Sequence, residues 1–193
     1  TVQSSKHGVS VDFPLEFSVS QNIRFTNQSG GEIFLQMISQ GKPLPKEMAG
    51  DASNLSIDVQ YLDFNQNPVN VSQIDQTTDL IARISVKHPG VRREYKDLAL
   101  TFTAPGGWEI INTRFTDFDG EINESNYTYR DFRDTRVMTY FDLDRSQTKV
   151  FYIKLNASYP GRFYFAPVTV EAMYDHTINA RTQSQFVKVI RKE

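Results

Sequence analysis

Apolar and polar side chains alternate with a period of two along much of this chain, most clearly towards its C-terminus. From Val150 to Ala157 the residues Phe151, Ile153, Leu155 and Ala157 share one face, opposite a face that turns polar. Tyr159-Pro160-Gly161 breaks the run, and a second, Arg162 to Tyr174, sets Ala166, Val168, Val170 and Ala172 against Thr169, Glu171 and Met173. Asp175 to Ala180 interrupts again before a short third run, Phe186 to Ile190. Such patterning between turn residues marks half-buried strands, because successive side chains of a strand point to opposite faces. It predicts three consecutive antiparallel strands, the closing meander of a β-sandwich.

Upstream the same signal recurs. Leu55–Leu62 alternates Ile57, Val59 and Tyr61, and Asn65-Gln66-Asn67-Pro68 reads as a turn. Asp79–Val86 turns Leu80, Ala82, Ile84 and Val86 inward, Leu98–Phe102 leads into Pro105-Gly106-Gly107-Trp108, and Val137–Phe141 is a further strand. Between them, Val71–Gln76 suits one helical turn capped by Asn70 or Ser72. His88-Pro89-Gly90 with Arg92–Tyr95 makes a loop, and Phe115–Tyr129 a long polar one. Strands eight to twelve residues apart, separated by turn signals, predict a sandwich rather than βαβ units. The N-terminal stretch adds short strands around Val9–Phe13, Leu15–Val19, Ile23–Phe25 and Glu32–Ile38, with a turn at Asn27–Gly31. Residues 40–54 carry the Pro and Gly density of a linker, so a domain boundary is expected there, dividing 1–50 from 51–193. The N-terminal piece is short for an independent sandwich and reads as part of a domain whose other strands lie upstream.

Composition sharpens this reading. The 193 residues include 14 Phe and 9 Tyr, which supply a core and favour sheet over helix. Net charge is −2, with 21 basic and 23 acidic residues well mixed, so no polybasic face invites nucleic acid. Cysteine is absent, which excludes disulfides, thiolate catalysis and an internal thioester within these residues. No apolar run approaches the length of a membrane span, no stretch reads as a signal peptide, and any targeting information is expected to lie outside these residues. The first residue is Thr rather than Met, so the sequence reads as a processed or excised piece.

Candidate chemistry is sparse. Asp117-Phe118-Asp119-Gly120-Glu121 has the oxygen density of a hard-cation loop but lacks the spacing of an EF-hand, and a solvated acidic loop explains it better. The charge alternation Arg130–Arg136 reads as a strand edge whose charges discourage edge-to-edge pairing. His7, His88 and His176 have no metal-ligand spacing, and no nucleophile elbow, zincin motif or phosphate-binding glycine loop occurs. Asn-x-Ser/Thr sequons, such as those at Asn70 and Asn156, are mostly what chance supplies in so Asn- and Ser-rich a chain. The expectation is therefore no catalytic residue, no metal and no cofactor.

Several segments, taken in order, resemble the last domain of bacterial α2-macroglobulin-like proteins. These are Pro105-Gly106-Gly107-Trp108-Glu109-Ile110, Arg130–Val137, Tyr159-Pro160-Gly161-Arg162-Phe163, Glu171-Ala172-Met173-Tyr174-Asp175 and Ala180-Arg181-Thr182. The resemblance covers roughly residues 54–190 and implies an antiparallel, macroglobulin- or immunoglobulin-like β-sandwich, preceded by the closing strands of a CUB-like domain. In that family a large envelope-tethered protein is cut by a protease in a bait region, changes shape and traps its attacker. Many members carry a reactive thioester in an upstream helical domain, against which the terminal domain packs. The resemblance places Met173 and Tyr174 on the loop that covers the thioester, with Glu171 and Asp175 as supporting residues.

The implied function is a non-catalytic domain of a protease-trapping inhibitor. Its partners would be the upstream helical and CUB-like domains of the same chain and, through the full-length protein, attacking proteases. The implied location is the cell envelope, periplasmic or surface, lipid-anchored through a distant N-terminus and without membrane contact by this piece. Two alternatives stand beside it. An adhesive or carbohydrate-binding sandwich would need Trp108, Tyr127, Tyr129 or Tyr140 exposed as a flat stacking platform. A structural spacer would need no specific surface at all.

Overall fold

The computed structural model of the chain describes residues 48–112 and 123–191, with scattered positions between 24 and 38. The chain divides into two compact units, Thr1–Gly41 and Lys42–Glu193. In the first, the strands expected at Val9–Phe13 and Leu15–Val19 lie outside the described residues, and the described positions within Ile23–Phe25 and Glu32–Ile38 are not in strand. The expected turn is seen: the Asn27 amide donates to the Gly31 carbonyl at 2.5 Å, and Gly30 has φ +73°.

The second unit is all β among the described residues, with thirteen strands. They are β1 (Asp51–Ser53), β2 (Ser56–Leu62), β3 (Gln73–Asp75), β4 (Asp79–Lys87), β5 (Tyr95–Thr103), β6 (Trp108–Ile111), β7 (Tyr129–Arg133), β8 (Arg136–Leu143), β9 (Thr148–Ala157), β10 (Gly161–Phe165), β11 (Thr169–Ala172), β12 (Asp175–Arg181) and β13 (Gln185–Ile190). One sheet runs β1-β12-β11-β5-β8-β7, a second β2-β4-β9-β6 and a third β10-β13-β3. All described pairings are antiparallel except β3 with β13. The inward residues expected on β4 and β9 are buried, and they join Leu98, Leu100 and Phe102 of β5 and Val137 and Phe141 of β8 in one continuous core. Phe141 meets Phe151 at 4.7 Å between ring centroids, and Phe102 meets Phe165 edge-on at 5.8 Å, so aromatic contacts join the sheets.

The expected C-terminal meander is corrected. Period and facing are right, since Val168, Val170 and Ala172 are buried while Glu171 and Met173 are exposed. The Arg162–Tyr174 run, however, is two strands, parted at Ala166-Pro167-Val168, and they serve different sheets. Proline offers no N–H to a ladder, which favours a break there. Asp175–Arg181, expected as an interruption, is strand β12. Of these strands only β11 and β12 pair as a hairpin; β9 pairs with β4 and β6, β10 with β13, and β11 also with β5. The helical turn expected at Val71–Gln76 is also corrected. The Asn70 side chain does accept the Ser72 amide at 3.0 Å, but the chain then extends as β3 beside β13.

The charge run Arg130–Arg136 does lie on an edge, β7, followed by a two-residue hairpin turn to β8. One member departs from a solvated edge. Arg130 is only 4% exposed, and both its terminal nitrogens donate to Glu124, at 2.8 and 3.2 Å. Its Nε donates to Thr139 at 2.9 Å, and Tyr127 lies under the guanidinium at 4.2 Å. Glu124, within the Phe115–Tyr129 stretch read as a long polar loop, also accepts the Tyr152 amide at 2.9 Å. Beyond Ile111 the edge of β9 is thus covered by Glu124 and Ser125, whose amide donates to the Val150 carbonyl. Asp117–Glu121 and His7 lie outside the described residues.

Two of the glycine-containing motifs meet around one ring. A Cβ on Gly107 would lie 2.2 Å from the Phe163 ring, and one on Gly161, at φ +150°, would lie 2.8 Å from it. Both glycines are required because the ring occupies the space a side chain would need. The peptide N–H groups of Ser158 and Tyr159 donate to the Gly107 carbonyl, which locks the two turns together.

Two substitutions check this packing. Gly107→Ala should lower stability by about 1–3 kcal/mol in a denaturant titration, as overpacking does. Adding Phe163→Leu should recover part of that loss, the two effects being non-additive because the groups touch. Glu124→Ala should cost roughly 2–3 kcal/mol, because it strips a buried guanidinium of its carboxylate.

Candidate functional site

The residues singled out from sequence stand on the β11–β12 hairpin. Thr169, Val170 and Glu171 pair with Arg181, Ala180 and Asn179. The register then slips, so that Ala172 faces Asp175 and the connection is the two residues Met173 and Tyr174. Val170 and Ala172 below them are buried in the core, whereas Met173 is 48% and Tyr174 82% exposed. An anchored strand thus ends in two large side chains turned outward. Glu171 is exposed mid-strand, between Ala99 of β5 and Asn179 of β12.

The tip is held by polar contacts on several sides. The Met173 amide donates to the Asp97 carbonyl at 3.0 Å. Asp97 sits where β5 slips register against β8, in a left-handed conformation at φ 53°, and its own N–H donates to the Asp142 carboxylate at 2.9 Å. The Asp175 carboxylate accepts the Thr177 amide and hydroxyl at 2.9 and 2.6 Å, an Asx-type turn that shapes the bulge in β12. Its other oxygen accepts from Arg92 at 3.1 Å, and Arg92 also reaches the Thr177 hydroxyl at 3.2 Å. The Ser53 hydroxyl and Asn54 amide both donate to the Thr177 carbonyl at 2.9 Å. Hydrogen bonds from Thr177, reinforced by the Arg92 guanidinium, hold the Asp175 carboxyl below the usual carboxylate range.

Asp175 is thus a structural member of the turn, and the sequence reading missed its partner. Arg92 lies 83 positions away, in a stretch read only as loop, and no local pattern ties it to the hairpin. Of the histidines, His88 is buried and His176 exposed. Among the described residues, no cluster of three or more His, Asp or Glu is placed to hold a metal. The stacking platform imagined for a carbohydrate site loses its largest member. Trp108 is 4% exposed and packs edge-on to Tyr61 and Phe165, because it fills the centre of the aromatic core. Tyr127 and Tyr129 are exposed, Tyr129 stacking on Tyr140 at 6.0 Å and Tyr127 lying under the Arg130 guanidinium.

Comparison with known families matches residues 55–176 to the bacterial alpha-2-macroglobulin MG10 domain. The chain belongs to that family. A curated alpha-2-macroglobulin homolog of Yersinia pestis is 22% identical over 179 residues, covering 82% of this chain and 9% of its own. Two crystal structures of Salmonella alpha-2-macroglobulin, one a tyrosine-to-glycine mutant and one reacted with methylamine, superpose with a TM-score of 0.66 at 20% identity. Each covers 74% of this chain and 10% of its own. A native Escherichia coli alpha-2-macroglobulin piece, from domain MG7 to the C-terminus, gives 0.64 at 18% identity over 78% of this chain and 25% of its own. The solved structures share the fold of this MG10 domain, and the chain spans about a tenth of the length of the curated relative.

The hydrogen bonding at Asp175 sets a pH dependence. A depressed carboxyl contributes order that is complete above its unfolded value of about 3.9 and lost as pH falls through the lower folded value. Amide exchange of Thr177 should therefore stay protected at neutral pH and loosen below about pH 4. In Asp175→Asn this pH dependence should vanish.

Proposed function

We propose that this MG10 domain is the non-catalytic C-terminal β-sandwich of a bacterial α2-macroglobulin-like protease trap, and that the Met173–Tyr174 tip docks on the upstream helical domain of the same chain. The observation that carries the reading is the tip itself. Two large, largely apolar side chains stand exposed on a hairpin whose base is buried and whose turn is tied down on several sides. Exposed tyrosine and methionine in such a setting suit a contact surface, since one brings area with a polar end and the other adapts its shape.

In a thioester-bearing parent the contact has a chemical purpose. A thioester persists in water only while water and amines are kept from its carbonyl, and apolar side chains pressed over it do that. One solved relative is described as reacted with methylamine, and Escherichia coli relatives as activated by elastase and by trypsin. Those descriptions support a parent that meets proteases and holds an amine-reactive bond. The same family setting supports a cell-envelope location and a CUB-like origin for residues 1–50. In a parent without a thioester, the tip keeps its role as an interdomain contact.

The test is made in the full-length parent, where an upstream Cys-Gly-Glu-Gln segment identifies a thioester. Before bait cleavage, Tyr174→Ala should raise the rate of methylamine inactivation by about tenfold or more, corresponding to roughly 1.4 kcal/mol of lost shielding. The melting temperature should stay unchanged, because the side chain lies outside the core. An unchanged methylamine rate would remove Tyr174 as a lid.

A further inference from the structure

We propose that Arg92 is the positioning residue of the Met173–Tyr174 tip, and that the loop between β4 and β5 exists to hold its guanidinium against the turn. This builds on the reading of the tip as a docking element.

The loop is constructed with unusual care for a solvent-facing connection. His88 is 1% exposed, and both its ring nitrogens are spent on the loop itself. Nδ1 accepts the Gly90 amide at 2.8 Å, so Nε2 carries the hydrogen and donates to the Arg93 carbonyl at 2.7 Å. The imidazole stacks on Tyr95 at 3.9 Å between ring centroids. Outside contacts complete the frame, with the His88 amide donating to the Gln147 carbonyl and Arg145 Nε to the Gly90 carbonyl, each at 2.9 Å. Gly90 takes φ +82° against Ser146, a conformation and a proximity that a side chain would spoil. Val91 and Arg93, on either side of Arg92, are exposed, so the loop's fixed geometry has one evident beneficiary: the arginine that reaches Asp175 and Thr177.

That beneficiary matters because Tyr174 cannot orient itself. At 82% exposure it gains little from burial, and a two-residue turn left alone would sample many directions. Docking such a side chain means ordering it first, which weakens binding unless the turn is already ordered. Arg92 from one side and the Asp97 carbonyl from the other supply that order without touching the core. An exposed ion pair adds little to global stability, so its purpose is local.

The experiment compares wild type, Arg92→Gln, Arg92→Lys, Tyr174→Ala and the double variant Arg92→Gln/Tyr174→Ala. In this chain, amide exchange across Met173–Thr177 should accelerate about 3- to 10-fold in Arg92→Gln, with the melting temperature within about 2 °C of wild type. Arg92→Lys should restore part of the protection, and about 1 M salt should erase the difference between Lys and Gln, because salt screens an exposed pair. In the full-length parent, Arg92→Gln should reproduce part of the Tyr174→Ala increase in methylamine reactivity and add nothing to it in the double variant. Unchanged exchange in Arg92→Gln, or an additive double variant, overturns the proposal. If exchange responds to Arg92 while Tyr174→Ala is inert towards methylamine, the clamp stands and the docking reading falls. If Tyr174→Ala acts and Arg92→Gln changes neither readout, the docking reading stands and the clamp falls.

Discussion

Contact between the inner faces of the sheets carries this domain. Phe141 against Phe151 and Phe102 against Phe165 remove four rings from water, each burial being worth about 2–3 kcal/mol. With no helix and no cystine among the described residues, little else could offset the entropy of ordering thirteen strands. The hairpin that carries Met173 and Tyr174 can project into solvent because Val170, Ala172, Ile178 and Ala180 beneath it belong to that same core.

Apart from two aromatic polar atoms, the polar groups drawn into the interior among the described residues are partnered, and several of those partnerships join distant segments. Arg130 ties residue 124 to β7 and β8, while the Lys149 ammonium donates to the Asn126 carbonyl at 2.9 Å. His88 ties its own loop together, and at the surface the exposed Arg92–Asp175 pair joins that loop to the hairpin. A buried charge stripped of its partner is costly, so these contacts specify where segments lie more than they add to stability. Two buried polar atoms, the Tyr95 hydroxyl and the Trp108 indole nitrogen, have no partner among the described residues, and both belong to aromatic groups held by packing.

Membership in the bacterial α2-macroglobulin MG10 family places these features in a larger machine, of which the chain spans a small part. Its motifs serve close packing, as where Gly107 and Gly161 make room for Phe163, and its Met173–Tyr174 pair stands exposed, as the proposed docking contact requires. On the proposed reading, a docking tip must point the same way in every molecule, and the polar contacts around Asp175 are placed to hold it.

The sequence by itself determined the all-β class, most strand positions and which face of each strand turns inward, because alternation is written residue by residue in β2, β4, β8, β9 and β11. Met173 and Tyr174 were singled out only through a family resemblance, carried by the motif around them. Pairing was beyond the sequence's reach. A strand pattern says that a face is buried but not against what, so β10 and β11 read as one run, and β12, with exposed residues at its start, read as a turn. Trp108, named from sequence only as a candidate for an exposed platform, is a core ring because Tyr61 and Phe165 close around it. Arg130, Glu124 and Arg92 looked like ordinary surface charges and Asp175 like a supporting residue of the tip; only the folded chain matched them, because an ion pair across 83 residues leaves no periodic trace. Local periodicity records burial; partnership is decided by topology, which brings together residues that the chain keeps apart.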